Sequence, residues 1–138
     1  MRLPNIATDG WELRSGEAAH AKNPSSFWIP SLEERLNLRR GLGAKLIFDI
    51  ESVNDSDELE VNGERMWVIV SEVHSDYFIG ILDNKPASFD PSDEEYLVFG
   101  AEIPFRAEHV IDIGEPPEDY ANWQLSQNPE RLWPRENG

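Results

Sequence analysis

The segment GERMWVIVSEVHSDYFIGILDNKP, residues 63–86, constrains the fold more than any other part of the chain. It contains two apolar runs. If each run forms a strand, the residues on both of its faces are apolar. This pattern is typical of strands at the centre of a sheet. The turn residues His74-Ser75-Asp76 separate the runs. We therefore predict two central antiparallel strands, over about 64–73 and about 77–83.

The length of the turn decides which residues of this hairpin face each other. A two-residue turn at Ser75-Asp76 pairs Ser71 with Gly80, whereas a three-residue turn moves the pairing by one residue. Gly80 leaves open space on the sheet. We expect an aromatic side chain from another element, such as Trp28, to lie across that space.

A helix signal precedes the hairpin. Ser31 and Glu34 match a capping box, which predicts a helix over roughly 32–40. Leu32 and Leu36 lie one turn apart and give this helix a narrow apolar stripe. So short a helix gains its stability from packing, and we therefore expect the stripe to lie against the sheet.

The remaining strand signals complete the sheet. The run KLIFDIES, which begins at Lys45, alternates between apolar and polar residues as a half-buried strand does. Further short strands fit residues 96–99, 103–106 and 109–113, and Pro104 suits an edge strand. The predicted fold class is α+β, with a small, strongly bent antiparallel β-sheet of about five strands and one or two packed helices.

The length of 138 residues predicts a single domain over 1–138. We expect its core at about 31–113, with aromatic-rich extensions at the N-terminal and C-terminal ends. The tail beyond Pro116 fits one short helix, and its Trp123 and Trp133 suggest that it docks on the core.

The chain contains no cysteine, which rules out a disulfide framework and a thiolate metal site. Its first residues form no apolar signal segment, and no apolar run approaches the ~20 residues that a membrane helix needs. We therefore expect a soluble, cytoplasmic protein that makes no membrane contact.

Charge is the most unusual bulk property, with 27 acidic and 12 basic side chains and a formal net charge of -15. Nucleic acid is not an expected partner, because phosphate binding depends on clustered Lys and Arg. The acidic residues gather at 51–60, 90–95 and 115–119. Two interpretations stay open: solvated loops that favour solubility, and electrostatic complementarity to a basic protein partner. The oligomeric state does not follow from the sequence.

Metal-site motifs are missing from the sequence. Asp55 and Asp57 resemble the start of a calcium loop, but Leu59 stands where an oxygen ligand belongs. The three histidines are far apart in the chain and form no HExxH motif. We therefore expect no metal and no cofactor.

Sequence motifs of catalysis are missing as well, since the chain has neither a GxSxG elbow nor a glycine-rich phosphate loop. We predict no catalytic residues. The alternative is a hydrolase-like enzyme that uses scattered Asp, Glu and His. A buried carboxylate and a buried histidine that converge in a deep pocket would support that alternative.

Residues at the strand end are the candidate binding site. A two-residue turn pairs Trp67 with Asn84, and Asp83 and Pro86 flank Asn84. One interpretation is structural, a core indole and an asparagine that forms a turn. The other is a shallow binding site formed by these four residues together with Trp28. An exposed aromatic patch with an acidic rim would favour binding.

These residues also carry a resemblance to a known family. The matching positions are E-x-M-W-V-x-V at 64–70, F-x-G-x-L-x-N-x-P at 78–86, and Gly100 with Ile103 and Phe105. Over roughly residues 44–113 the chain resembles the YegJ-like bacterial family, also called domain of unknown function 2314. The resemblance implies a small α+β fold and no established activity. Our leading interpretation is a non-catalytic protein-binding module, immunity-type or regulatory.

Overall fold

The structure is a computed structural model that describes residues 1–86 and 95–135. The helices are α1 (Ile6–Asp9), α2 (Gly16–Lys22), α3 (Leu32–Leu36) and α4 (Glu118–Ser126). The strands are β1 (Trp11–Leu13), β2 (Gly43–Val53), β3 (Leu59–Val73), β4 (Phe78–Leu82), β5 (Glu102–Phe105) and β6 (Asp112–Gly114). A 3₁₀ turn spans Ala107–His109.

The strands form one curled antiparallel sheet, and the predicted α+β fold class is confirmed. Its order is β1-β2-β3-β4-β5, and β6 pairs with the beginning of β2. The predicted strand at 103–106 corresponds to β5, which pairs with β4 at the edge of this order. Residues 96–99 form no strand, and the predicted strand at 109–113 is replaced by the end of the 3₁₀ turn followed by β6.

In β2, β3, β4 and β5, alternate residues face the inside of the curl and form the core. The largest are Leu46, Phe48, Ile50, Met66, Val68, Val70, Phe78, Leu82, Ile103 and Phe105. Each of these side chains is at most 5% exposed. The face of β3 that carries Met66, Val68 and Val70 is thus the core face, and we call the opposite side of the sheet the outer face.

The β3-β4 hairpin has a two-residue turn, one of the two turn lengths that the sequence left open. The His74 N–H donates to the Tyr77 carbonyl at 2.9 Å, which leaves Ser75-Asp76 between them. Further along, a β-bulge places Ser71 outside the ladder, and Gly80 pairs with Val70. The predicted pairing of Ser71 with Gly80 is therefore wrong by one residue, because a bulge adds one residue to one strand.

Gly80 faces the core. A Cβ atom at this position would lie 2.6 Å from Val68 Cγ2 and 3.3 Å from Phe105 Cε1. The neighbouring strands thus fill the space that the glycine leaves. Trp28, which was expected to cover Gly80, is instead 67% exposed to solvent.

Helix α3 faces the opposite way from the prediction. It begins with the predicted capping box, in which Ser31 and Glu34 bond to each other's backbone N–H groups. However, Leu32 and Leu36 are 52% and 57% exposed, and Arg35 is 4% exposed. The helix therefore buries its arginine, and the expected apolar contact with the sheet is wrong.

The contacts of Arg35 explain this orientation. Its Nε donates to the Pro30 carbonyl at 3.0 Å, and its Nη1 donates to the Ala107 carbonyl at 2.9 Å. The same Nη1 also pairs with Glu17 of α2 at 2.7 Å. A buried charge is tolerated where it is paired and hydrogen-bonded, and this guanidinium has three such partners.

Both ends of the chain contribute to the core. Trp11 and Trp133 are each 3% exposed, and their rings meet edge to face at 5.7 Å. Tyr96 stacks on Trp11 at 5.9 Å, and burial raises the pKa of its hydroxyl. The Trp133 N–H donates to Glu102 Oε1 at 2.9 Å. The core thus extends beyond residues 31–113 in both directions.

Among residues 1–86 and 95–135, no helix combines the length and the apolar character that crossing a bilayer requires.

His109 is buried at the end of the 3₁₀ turn, where burial and the charge of Arg106 lower its pKa to about 4. The Arg106 backbone N–H donates to His109 Nδ1 at 2.9 Å, which requires a neutral ring at that nitrogen. Glu108 Oε1 lies 3.5 Å from Nε2 and is partly exposed. The folded chain therefore holds this imidazole uncharged.

Stability should fall as the pH drops between the unfolded-state pKa of 6.5 and the folded-state pKa of about 4. In that window the unfolded chain binds a proton that the folded chain does not, at a total cost of about 3 kcal/mol. Urea unfolding over this range measures the loss. His109→Gln, which keeps an acceptor for Arg106, should remove it, whereas His74→Gln at the exposed hairpin turn should retain it. If the free energy of unfolding depends on pH in the same way in His109→Gln and in the unaltered chain, the loss of stability does not come from His109.

Candidate functional site

A groove of about 260 Å³ opens on the outer face of the sheet, where β2, β3 and β6 lie side by side. Its lining residues are Gly43, Trp67, Val68, Ile69, Asp83, Gly114, Glu115 and Pro116. We call it the Trp67 groove. It contains two of the residues that the sequence singled out, Trp67 and Asp83.

Two glycines form the floor beneath the indole. Gly43 of β2 and Gly114 of β6 face each other across the ladder. A Cβ atom on Gly43 would lie 3.3 Å from Trp67 Cε3, and one on Gly114 would lie 3.2 Å from Trp67 Cη2. Glycine at both positions therefore lets the ring approach the backbone closely. Trp67 is half-buried as a result, and Lys45 Nζ lies 5.7 Å from its ring centroid.

Asn84 continues the ladder where β4 ends. The Trp67 N–H donates to Asn84 Oδ1 at 2.6 Å, and the Asp83 N–H donates to the Trp67 carbonyl at 2.9 Å. The predicted backbone pairing of Trp67 with Asn84 is thus replaced by a side-chain bond, because the bulge shifts the register by one. Asn84 fixes the backbone behind the groove.

Helix α4 is held to the groove through Asp83. Tyr120 and Gln124, one turn apart, donate to Asp83 Oδ1 at 2.5 Å and 2.9 Å. The hydrogen bond to Asp83 raises the pKa of Tyr120 to about 12. Neither residue is among the site residues predicted from the sequence. Their helical spacing is a signal for a shared face, but it does not identify the partner.

Two other predicted site residues lie outside the groove lining. Pro86 is half-buried and follows Asn84. Trp28 lies in the segment between α2 and α3 and is 67% exposed. Trp67 and Asp83 therefore line one groove, Asn84 bonds to the Trp67 backbone behind it, and neither Pro86 nor Trp28 lines it.

A second cavity of about 340 Å³ adjoins the first, and the two share Glu115 and Pro116. Arg39 and Arg40 also line it. Arg39 Nη2 lies 3.5 Å from Glu115 Oε1, with both side chains mostly exposed. Such an exposed pair is weak, so Glu115 can exchange this partner for another cation at little cost.

The predicted acidic cluster at 115–119 lies beside these two cavities and at the start of α4. The cluster at 90–95 falls outside the described residues except for Glu95.

A network of charged groups lies on another part of the outer face. Glu102 Oε1 accepts from Arg135 at 2.5 Å, and Arg135 also pairs with Glu72. His74 Nε2 lies 2.9 Å from Glu72. Partial burial raises the pKa of Glu72, but the bonds from His74 and Arg135 outweigh it and leave the pKa below its usual value. The network fastens the C-terminal segment to β3 and β5.

These contacts give little support to a catalytic site. The buried histidine, His109, bonds to Arg106, whereas the buried carboxylate, Glu102, is held by Trp133 and Arg135. The two cavities above contain no histidine, and neither does a third, near Trp123. Within residues 1–86 and 95–135, no group of three or more His, Asp and Glu is placed to hold a metal ion.

No protein-family model, no curated protein and no solved structure matches this chain. The resemblance to the YegJ-like bacterial family over roughly residues 44–113 therefore stays a prediction.

Proposed function

We propose that this chain is a non-catalytic binding module for a basic protein, and that the Trp67 groove receives a Lys or Arg side chain of that partner. The observation that supports the proposal is an indole with two carboxylates, Asp83 and Glu115, along the same groove. An indole face attracts a cation, and a carboxylate pairs with it. The chain's own Lys45 Nζ lies 5.7 Å from the ring centroid, within the range of a cation–π contact.

The charge of the whole chain supports the same class of partner. A net charge of -15 creates a field that attracts cationic surfaces and repels phosphates. Such a field acts chiefly on the association rate of a complex. A regulatory or immunity-type role in a bacterial cytoplasm fits a module of this kind, because it works by covering its partner and needs no chemistry.

The hydrolase-like alternative has less support. It needs a histidine and a carboxylate that act on one substrate atom. Glu72 and His74 are in contact, but Glu72 is already paired with Arg135 and the cluster lines none of the three cavities.

Peptide display with a random library tests the proposal. The selected sequences should be enriched in Lys and Arg, and their affinity should fall as salt rises. Trp67→Leu should weaken the binding of a selected peptide about tenfold, because the cation loses its aromatic partner. Trp28→Leu is the matched control, since it removes an exposed indole outside the groove, and it should leave the affinity unchanged.

The double variant Asp83→Asn with Glu115→Gln should also weaken the binding of the peptide. Asp83→Asn keeps an oxygen that can accept from Tyr120 and Gln124. Circular dichroism checks that each variant is folded. Selected peptides without cationic enrichment, or full affinity in Trp67→Leu, would overturn the proposal. Cleavage of bound peptides would favour the hydrolase-like alternative.

A further inference from the structure

Residues 51–61, which we call the arm, extend the β2-β3 ribbon past the rest of the sheet. The pairing of β1 with β2 stops at Ile50, and the pairing of β4 with β3 begins only at Val68. Within the described part of the chain, no third strand pairs with the arm, whose two halves pair with each other from Glu51 to Val61.

Hydrogen bonds of Asn54 close the tip of the arm. Asn54 Oδ1 accepts from the backbone N–H groups of Ser56 at 2.8 Å and Glu58 at 3.0 Å. The Asn54 N–H donates to the Glu58 carbonyl at 2.9 Å, and Asp57 takes the left-handed conformation that closes the turn. A partner that binds the arm therefore loses little free energy in ordering it.

One face of the arm is apolar and open to solvent. Val53, Leu59 and Val61 are 60%, 68% and 56% exposed. Val53 faces Leu59 across the ladder, and Val61 lies two residues further along β3, so all three share one side of the ribbon. Exposed aliphatic side chains grouped in this way are typical of interaction surfaces.

The charged residues of the arm itself have one sign. The arm carries five carboxylates and no basic residue; they are Glu51, Asp55, Asp57, Glu58 and Glu60. A second copy of the chain is a poor occupant, because it would bring five like charges to the contact and a net charge of -15. A partner surface with Lys and Arg around a small apolar centre is complementary to the arm in charge and in its apolar face.

The arm and the Trp67 groove lie on the same face of the sheet. Leu59, Val61 and Trp67 occupy alternate positions of β3, whose register with β2 is unbroken between them. Trp67 lies six positions after Val61, a distance of about 20 Å along the strand. An interface of ordinary size, which buries about 800 Å² on each partner, spans both.

We propose that the outer face of the arm is a second docking surface for a basic protein, which contacts Val53, Leu59 and Val61 with an apolar patch ringed by Lys and Arg. This inference rests on the proposed function, because the same partner occupies the Trp67 groove. The arm carboxylates accelerate the encounter, and the three aliphatic side chains slow the release.

Stopped-flow binding of a short peptide of alternating lysine and leucine residues tests the inference at low salt. A charge variant, Glu51→Gln with Asp55→Asn and Glu58→Gln, should lower the association rate about fivefold and leave the dissociation rate unchanged. Its matched control removes three exposed carboxylates elsewhere, through Glu33→Gln, Asp76→Asn and Glu130→Gln. The control should change the association rate less than twofold, because its charges lie away from the docking surface.

An apolar variant, Val53→Thr with Leu59→Thr, should raise the dissociation rate about fivefold and leave the association rate unchanged. Its matched control is Val73→Thr with Leu132→Thr, which changes two aliphatic residues that are also more than half exposed. The control should bind as the unaltered chain does. The amide NMR signals of Val53, Leu59 and Val61 should shift when the peptide is added.

The outcomes separate the two proposals. If the peptide binds and Trp67→Leu weakens it, but both arm variants bind normally, the arm inference is wrong and the proposed function stands. Failure of the unaltered chain to bind the peptide at low salt contradicts both. A concentration-dependent dimer in sedimentation, lost in Val53→Thr with Leu59→Thr, would overturn the arm inference, because a second copy would then be the occupant.

Discussion

Replacing Trp133 with alanine is expected to lower the free energy of unfolding by about 3 to 5 kcal/mol. The indole is 3% exposed and packs against Trp11 and Tyr96, with ring centroids 5.7 Å and 5.4 Å away. Its Nε1 donates to the Arg2 carbonyl at 2.9 Å. The substitution leaves a cavity between the two ends of the chain and removes the hydrogen bond that joins them. Urea unfolding at constant pH measures the loss.

Trp123→Ala is the matched control, because it removes the same side chain from the same tail. Trp123 is 50% exposed and contacts Tyr120 at a ring separation of 5.8 Å. Its replacement should cost less than about 1 kcal/mol. Equal costs for the two variants would show that the C-terminal segment does not join the core through Trp133.

Docking of the tail could be anticipated from its tryptophans, but the choice between them could not. Trp133 is buried because Ala101 forms a bridge with Arg131 and Glu102 accepts from the Trp133 N–H. These contacts join residues about thirty positions apart, and no local pattern in the sequence reports them. Trp123 lies on a helix whose inward side is occupied by Ala121 and Gln124.

The hairpin was predictable because its alternation has the period of a strand, and that period is a local property. The register of the two strands was not predictable. The bulge at Ser71 adds one residue to β3 and moves every later pair, so Gly80 meets Val70 and Trp67 bonds to the backbone of Asp83. A bulge without glycine leaves no mark in a single sequence.

The candidate site shows the same division between local and distant contacts. Trp67 and Asp83 meet because one lies on β3 and the other directly follows β4 of the same hairpin, although the register expected from the sequence placed Asn84 opposite Trp67. The glycine floor needs Gly114 beside Gly43, and the hold on Asp83 needs Tyr120 of α4. These residues reach the groove only through the folding of the whole chain. Trp28 was assigned to the site on its residue type alone, and it does not line the groove.

Arg35→Ala is expected to cost about 3 to 5 kcal/mol, because it removes a buried guanidinium and the charge-assisted hydrogen bonds that it donates to two backbone carbonyls. The Pro30 carbonyl would lose the Arg35 Nε donor, whereas the Ala107 carbonyl would keep only the Val110 N–H, at 3.2 Å. An unsatisfied buried acceptor costs about 1 to 3 kcal/mol. Glu17, whose side chain is 44% exposed, would return to water at little cost. Thermal or urea unfolding gives the value.

Leu36→Ala is the control that decides how α3 faces, since it makes the same replacement at the next residue of the same helix. Because Leu36 is 57% exposed, its truncation should change the free energy of unfolding by less than about 0.5 kcal/mol. The orientation predicted from the spacing of Leu32 and Leu36 requires the reverse order, with a cost of about 2 to 5 kcal/mol for a buried leucine and almost none for a solvated arginine. The two orientations therefore predict opposite rankings of two neighbouring variants. A helix of one and a half turns has little intrinsic stability, so tertiary contacts decide its orientation, and three converging acceptors here outweigh two leucines.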